Sequence, residues 1–195
     1  MRGLNIILRW LIFEFPWGID FSLRDLSEKS STNNGYAATD KYALKNLSDI
    51  LSFRGKRILD IGSGKGYVMA QSYKLGASRC DGIEISSKLH LTACRNFAKL
   101  GIDRDVQSYN LSAKDFSLYN DYDIFFLFNP FPDDIYKHVI DELFTQINGA
   151  QIRYIIVYGN GNRKAIENYQ TLKVYEGTCP SRGNMISIYK IECSL

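Results

Sequence analysis

From residue 57 onward, this 195-residue chain alternates short runs of strand-forming residues with amphipathic helical patterns, and that alternation constrains its fold more than any other feature. Strand–helix–strand units of this kind build a parallel sheet, because the helix carries the chain back to the starting edge. The runs predict strands at 57–61, 80–85, 105–110, 123–129 and 153–159. The run at 123–129 is almost wholly apolar, as a central strand covered on both faces must be.

The predicted helices start and stop at residues that favour helix termini. They cover 66–75, a segment after the second strand that ends at Gly101, 132–149 and 163–169. Another helix precedes the first strand, since the apolar residues between Ala43 and Leu51 follow helical spacing.

Two further strands, 171–177 and 185–192, follow each other without an intervening helix. Strands joined in this way pair antiparallel, so a hairpin is expected at the edge of the sheet after five parallel strands. The predicted fold is therefore α/β: a doubly wound, mostly parallel seven-stranded sheet with helices on both faces and an antiparallel terminal strand.

A polar stretch at 27–35, SEKSSTNNG, predicts a loop between an N-terminal extension, 1–35, and a main domain, 36–195. The first fifteen residues are apolar, but Arg9 and Glu14 interrupt them. The uninterrupted run falls short of the roughly 18 residues that a membrane span needs. We expect a packed or interfacial helix there and no integral membrane span.

Composition narrows the classes of function. The 24 Lys and Arg residues barely outnumber the 21 Asp and Glu residues, and the two signs are interleaved, so a nucleic-acid partner is not supported. The four cysteines show none of the spacings that hold zinc. We therefore predict no metal site and a reduced, cytoplasmic location.

Polar or glycine-rich features follow four of the predicted strands. These features are the segment from Asp60 to Gly66, then Glu84, Asn110 and Asn129. The carboxyl ends of parallel strands lie at one edge of a sheet, where α/β proteins bind their ligands. The four features are therefore expected to face one crevice.

The glycines at 62, 64 and 66 permit a tight turn and let a ligand approach the backbone amides that open the next helix. Glu84 lies about 20 residues downstream, at the end of the next strand, where an acid can accept hydrogen bonds from both ribose hydroxyls. Together they predict a site for a nucleoside cofactor.

The glycine spacing helps to choose the nucleoside. A dinucleotide fingerprint is G-x-G-x-x-G, whereas GSGKG at 62–66 has its third glycine only two residues after the second. This spacing disfavours an NAD(P)-dependent oxidoreductase, and the absence of a G-K-[ST] ending disfavours a P-loop. The identity of the nucleoside stays open on the glycine spacing alone, with an oxidoreductase or a non-catalytic cofactor-binding module among the alternatives.

LDIGSGKG at 59–66, followed by DGIEIS at 81–86, resembles the first two motifs of the class I methyltransferases, and the order of elements from 41 to 193 resembles their domain. The resemblance implies S-adenosylmethionine as cofactor, with the glycine loop around its methionine part, Glu84 on the ribose and Asn110 near the adenine. The predicted cofactor-binding residues are Asp60, Gly62, Ser63, Gly64, Gly66, Glu84, Ile85 and Asn110.

A narrower resemblance links the chain to a bacterial group of class I methyltransferases of undefined substrate, some of them distantly similar to histone-lysine methyltransferases. It rests on the segments at 17–21, 35–42, 61–66, 82–86 and 126–132. On this resemblance alone, Tyr36 and Thr39 are additional pocket candidates.

Asn129-Pro130-Phe131-Pro132 resembles the N-P-P-[YF] signature of methyltransferases that act on planar nitrogens, although here one proline, not two, precedes the aromatic residue. The resemblance implies that Asn129, Pro130 and Phe131 orient a nucleophilic nitrogen or oxygen. The acceptor is an unidentified protein side chain or small molecule. The alternative is an ordinary strand-to-helix turn with Pro132 at the first helical position.

Overall fold

The computed structural model describes residues 18–21, 24–25, 36–37, 39, 41–149, 151–159, 161–179 and 183–191. Their main feature is a seven-stranded sheet. Its strands are β1 (Arg57–Ile61), β2 (Arg79–Ile83), β3 (Val106–Tyr109), β4 (Ile124–Phe128), β5 (Arg153–Tyr158), β6 (Thr171–Thr178) and β7 (Met185–Ile191). The mostly parallel seven-stranded sheet expected from the sequence is thus confirmed.

The strand order is β3-β2-β1-β4-β5-β7-β6. The order reverses at β1, which pairs in parallel with β2 on one side and with β4 on the other. A reversal of this kind opens a crevice at the carboxyl ends of the two central strands, because the connections leave on opposite faces. A ligand site is therefore expected in the crevice between β1 and β4.

The terminal hairpin is confirmed, but its placement corrects the strand count. β7 lies between β5 and β6 and is antiparallel to both. β6 consequently runs in the same direction as β1 to β5, which makes six parallel strands rather than five. The sequence predicts the pairing of the last two strands, but it does not show which of them contacts β5.

The helices fall where the patterns predict them, with shorter bounds. They are α1 (Lys41–Ile50), α2 (Tyr67–Lys74), α3 (Ser87–Leu100), α4 (Asp133–Gln146) and α5 (Arg163–Glu167), with 3₁₀ turns at Ala113–Asp115 and Tyr119–Asp121. Gly66 lies outside α2 because its φ of 82° is left-handed. α4 and α5 also end two or three residues before the predicted limits.

Alternate residues of the strands contribute to two separate hydrophobic cores. Ile58 of β1 belongs to a core with α1, α2 and α3, whereas its neighbour Leu59 belongs to a core with α4 and α5. Successive side chains in a strand point to opposite faces, so the two cores cover both sides of the sheet. The prediction of helices on both faces is confirmed.

Part of the N-terminal region is described. Phe21 is buried and belongs to the core that contains α1, α2 and α3. Two short strands, Arg24–Asp25 and Tyr36–Ala37, pair antiparallel with each other. The helix predicted in the first fifteen residues lies outside the described residues, and the boundary at 35 stays a prediction.

Each helix within the described ranges is too short or too polar to cross a membrane.

Candidate functional site

The loop after β1 is bonded to β2 from its first residue. The N–H groups of Gly62 and Ser63 both donate to the carbonyl oxygen of Ile83, each at 2.9 Å. Gly62, Gly64 and Gly66 have φ values of 84°, 55° and 82°. These are left-handed conformations that residues with a Cβ rarely adopt, which explains why glycine stands at every second position.

Glu84 connects the glycine loop to the start of α3. Its Oε2 accepts a hydrogen bond from Gly64 N–H at 2.8 Å, and its Oε1 accepts one from Ser86 N–H, also at 2.8 Å. Ser86 is the N-cap residue of α3. The structure therefore brings together the two features that the sequence analysis paired. A carboxylate oxygen has two lone pairs, so it is able to accept more than one hydrogen bond.

A second carboxyl group, Asp60 of β1, is buried beside this pair with 3% of its surface exposed. Burial, and secondly the negative charge of Glu84, raise the pKa of Asp60 to about 8. Asp60 therefore retains its proton at neutral pH unless a positive charge lies nearby. Asp60 and Glu84 lie close together, and a positively charged ligand group would favour the ionised form of both carboxyls.

Two predicted cofactor residues differ in what they offer the crevice. Ser63 turns its side chain toward β2, since a Cβ placed on Gly82 would lie 2.4 Å from Ser63 Cβ. The contact of Ser63 with the cofactor stays a prediction. Ile85, directly after Glu84, has a side chain that is 48% exposed and presents apolar surface at the end of β2.

Asn110 follows β3, as expected, but its side chain is engaged elsewhere. Its Nδ2 donates to the carbonyl oxygens of Glu84 and Ile85 at 2.9 and 3.2 Å, and its Oδ1 accepts from Ser87 Oγ at 2.8 Å. Both amide protons are thus bonded to the turn after β2. The Asn110 side chain therefore holds that turn, and its place near the adenine stays a prediction.

The turn after β4 contacts both neighbouring strand ends. Asn129 has a φ of 42°, and it is the one residue other than glycine with a positive φ in the described part of the chain. A Cβ placed on Gly159, after β5, would lie 2.7 Å from Asn129 Nδ2. A Cβ placed on Gly62 would lie 2.5 Å from Pro130 Cβ. Pro130 therefore lies beside the glycine loop and Asn129 beside the end of β5, as the strand order requires.

The remaining predicted site residues are less informative. Phe131 is half-buried and packs against the core of α4 and α5, so only part of its ring faces outward. Thr39 is buried, and the side chain of Tyr36 lies outside what the structure describes. No group of three or more potential metal ligands comes together among the described residues.

One feature of the site was missed from sequence. Lys65, between the second and third glycines, is buried, and its ammonium group pairs with Asp20 at 2.9 Å. A lysine inside a glycine loop was the available signal. Its partner lies 45 residues away in the chain, and no local pattern indicates such a contact.

Comparison with known proteins identifies the fold. No protein-family model matches the chain, and no curated protein matches it in sequence. Among solved structures, an RNA methyltransferase from Salinibacter ruber in complex with S-adenosyl-L-homocysteine superposes with a TM-score of 0.66 at 15% identity, over 82% of this chain and 96% of that one.

Two further solved structures are similar to a comparable degree. Magnesium protoporphyrin IX methyltransferase from Synechocystis PCC 6803 with bound SAM has a TM-score of 0.63 at 14% identity, over 78% of this chain and 79% of that one. Geranyl diphosphate C-methyltransferase from Streptomyces coelicolor A3(2), in complex with S-adenosyl-L-homocysteine, has a TM-score of 0.61 at 12% identity, again over 78% and 79%.

The described structure therefore has the fold of the class I methyltransferases, as the motif resemblance implied. At identities of 12 to 15%, the likeness establishes the fold. The narrower resemblance to one bacterial group stays a prediction.

Proposed function

We propose that this chain is an S-adenosylmethionine-dependent methyltransferase. The observation that carries the proposal is the hydrogen bond from Gly64 N–H to Glu84, which joins the glycine loop to the acid of β2 at the edge where the strand order reverses. The fold shared with three methyltransferases whose structures contain S-adenosylmethionine or S-adenosylhomocysteine supports it.

The residues present fit this cofactor. Glu84 is held at the end of β2 by two backbone amides, and its carboxylate is an acceptor of the kind that binds ribose hydroxyls. The buried carboxyl of Asp60 suits a cationic methionine part, since a nearby positive charge favours its ionised form. The exposed side chain of Ile85 offers apolar surface to the adenine ring. The left-handed glycines permit the tight turn that keeps the loop backbone at this edge of the sheet.

The cofactor supplies an activated methyl group together with its own leaving group. The chain has to hold the acceptor in line and exclude water, and alignment of this kind is worth about 7–11 kcal/mol in favourable cases. We assign this task to Asn129 and the backbone of Phe131. The left-handed conformation of Asn129, at the strand end that touches the glycine loop, supports this assignment.

The acceptor-positioning role is tested by single-turnover methyl transfer to an identified acceptor. Asn129→Ala is expected to slow transfer by about 10²-fold, because a small misplacement of the acceptor is costly in an aligned reaction. Asn168→Ala, at the exposed end of α5, is the matched control and is expected to leave the rate unchanged. An unchanged rate in Asn129→Ala would show that the turn after β4 is only structural.

The class of acceptor is a separate question. The printed names of the three structural neighbours specify RNA, magnesium protoporphyrin IX and geranyl diphosphate. Such variety means that the fold does not select the acceptor, and the small net charge of +3 does not exclude RNA. Our preference for a protein side chain or a small molecule, acting in the cytoplasm, stays a prediction.

The activity is tested by incubating the protein with radiolabelled S-adenosylmethionine and fractionated lysate of the source cell. A methyltransferase labels at least one fraction. Binding of S-adenosylmethionine without labelling of any fraction would favour the non-catalytic module. Calorimetric binding of NADH in place of S-adenosylmethionine would favour an oxidoreductase.

A further inference from the structure

The glycine loop contains one long charged side chain, and that side chain is buried. Lys65 Nζ lies 3.0 and 2.9 Å from the two carboxylate oxygens of Asp20. The Lys65 side chain is 5% exposed, whereas the side chain of Asp20 is 48% exposed. A buried ammonium group is costly unless an anion compensates it, so the position of Lys65 depends on Asp20.

Asn96 of α3 binds both partners through their backbones. Its Oδ1 accepts from Asp20 N–H at 2.9 Å, and its Nδ2 donates to the carbonyl oxygens of Asp20 at 2.8 Å and Lys65 at 3.0 Å. Asn96 is itself 1% exposed. These contacts fix the backbone of Asp20 relative to the loop, so its carboxylate is held in place rather than free to move away.

The residues on either side of Asp20 are also anchored near the loop. The ring of Phe21 packs edge-to-face on Tyr67, the first residue of α2, with 5.4 Å between ring centroids. On the other side, Lys99 Nζ donates to the carbonyl oxygen of Gly18 at 2.6 Å. Residues 18–21 are therefore attached to α2, α3 and the glycine loop, and we call this segment the 18–21 clamp.

We propose that the 18–21 clamp holds the glycine loop in its ligand-binding conformation, and that Asp20 is a positioning residue that acts through Lys65. The inference rests on the proposed cofactor site. Glycines have the greatest backbone freedom of all residues, so a loop with three of them loses much entropy on ordering. A tether on the residue between Gly64 and Gly66 reduces that freedom before the ligand arrives, which raises affinity by preorganisation.

The test is titration calorimetry with S-adenosylhomocysteine on the full chain. Asp20→Asn and Lys65→Met are each expected to weaken binding by about tenfold, since each one removes the tether. The double variant is expected to bind no more weakly than Lys65→Met alone, because residues that act through one contact are not additive. Asp20→Glu, which keeps the charge, is expected to restore most of the affinity.

Asp141→Asn is the matched control. Asp141 is also a partly exposed carboxylate in an ion pair, with Lys137 on α4, and it does not contact the glycine loop. Its substitution is expected to leave the affinity unchanged. Thermal unfolding of every variant shows that the titrations are made on folded protein, so a purely structural role would change the melting temperature but not the affinity.

Wild-type affinity in Asp20→Asn would overturn the proposal. Weak binding in Lys65→Met alone would also overturn it, since Lys65 would then contact the ligand directly. If the wild-type chain does not bind S-adenosylhomocysteine, the proposed function fails. The clamp is then judged by amide hydrogen exchange at residues 62–66, which is expected to be faster in Asp20→Asn than in Asp141→Asn; equal rates would contradict the clamp itself.

Discussion

Asp60 of β1 is an acidic residue of the site whose pKa is strongly raised. Its carboxyl is buried beside Glu84, and the raised pKa means that the ligand-free protein stores a proton there at neutral pH. A cation bound next to Asp60 favours ionisation and releases that proton. Ligand binding at this edge is therefore expected to depend on pH.

The same carboxyl makes the stability of the ligand-free protein depend on pH. The pKa of Asp60 is raised from 3.8 to about 8, so the folded protein binds this proton more tightly than the unfolded chain. The corresponding stability is fully present below pH 3.8 and is lost as the pH rises toward 8.

Urea unfolding between pH 5 and 9 measures this effect, and Asp60→Asn removes the titrating group. The free energy of unfolding of the wild-type chain is expected to fall more steeply between about pH 5 and 8 than that of the variant. Parallel pH profiles for the two proteins would show that Asp60 does not retain its proton in the fold.

At the residue scale, the sequence predicts which positions meet but not how their atoms are used. Glu84 and the glycines follow a spacing tied to a strand edge, so their meeting is predictable. The engagement of Asn110 with the turn after β2 depends on the exact separation of two strands, which periodicity does not encode. The inward direction of Ser63 depends in the same way on Gly82.

At the element scale, the glycine loop and the turn after β4 form one packed unit. The contact between Gly62 and Pro130 joins them, and the contact between Gly159 and Asn129 joins that turn to the end of β5. Glycine is required at both positions because a Cβ would occupy the space of the neighbouring residue. Substitution of either glycine by alanine has two effects, a steric clash with the neighbouring residue and backbone strain at a positive φ. A control glycine with a positive φ and open space around it distinguishes the two effects.

Gly62→Ala introduces a Cβ at a φ of 84° and at 2.5 Å from Pro130 Cβ. The free energy of unfolding is expected to fall by about 2–4 kcal/mol, and binding of S-adenosylhomocysteine is expected to weaken. Gly55→Ala is the control, since its φ is 70° and nothing lies within 4 Å of the added atom. If Gly62→Ala and Gly55→Ala lower the free energy of unfolding equally in urea, the clash with Pro130 adds nothing to the cost of backbone strain.

Gly159→Ala places a Cβ 2.7 Å from Asn129 Nδ2, so it displaces the side chain that we assign to the acceptor. We expect kcat to fall by about tenfold or more, while the affinity for S-adenosylhomocysteine stays within about twofold of wild type. Gly183→Ala, at a φ of 69° with open space around it, controls for backbone strain. A parallel loss of cofactor affinity in Gly159→Ala would place Asn129 in the cofactor site instead.

Strands and helices were predictable at this scale because their apolar periodicity is local. The insertion of β7 between β5 and β6 was not, since two antiparallel strands in sequence can join a sheet by either member. The contact of residues 18–21 with the loop was not predictable either. It includes the ion pair between Lys65 and Asp20, which are 45 residues apart in the chain.

At the scale of the whole molecule, the two ends of the parallel strands differ in role. The carboxyl edge holds the site, and Arg153 stabilises the amino edge, where it begins β5. Arg153 is 1% exposed and donates to the carbonyl oxygen of Asn148 at 3.0 Å and to Asn120 Oδ1 at 2.7 Å. Its guanidinium thus holds together two loops that lie away from the crevice.

Arg153→Met is therefore expected to lower the free energy of unfolding by about 2–4 kcal/mol, because it removes the charged hydrogen bonds of a buried guanidinium. The affinity of the folded protein for S-adenosylhomocysteine is expected to stay unchanged. Urea unfolding and calorimetry test the two parts, with the exposed Arg95→Met as control. A weaker affinity in Arg153→Met would show that the two edges are coupled.

The proposed function requires that the crevice at the carboxyl ends of β1, β2 and β4 binds S-adenosylmethionine. Titration calorimetry with S-adenosylhomocysteine and, separately, NADH tests it most directly, on the wild-type chain and on Glu84→Gln. We predict one-to-one binding of S-adenosylhomocysteine, no binding of NADH, and at least about tenfold weaker binding in Glu84→Gln, since the amide cannot accept at both ends. Binding of NADH alone, or equal affinity of the two proteins for S-adenosylhomocysteine, would show that this crevice is not an S-adenosylmethionine site.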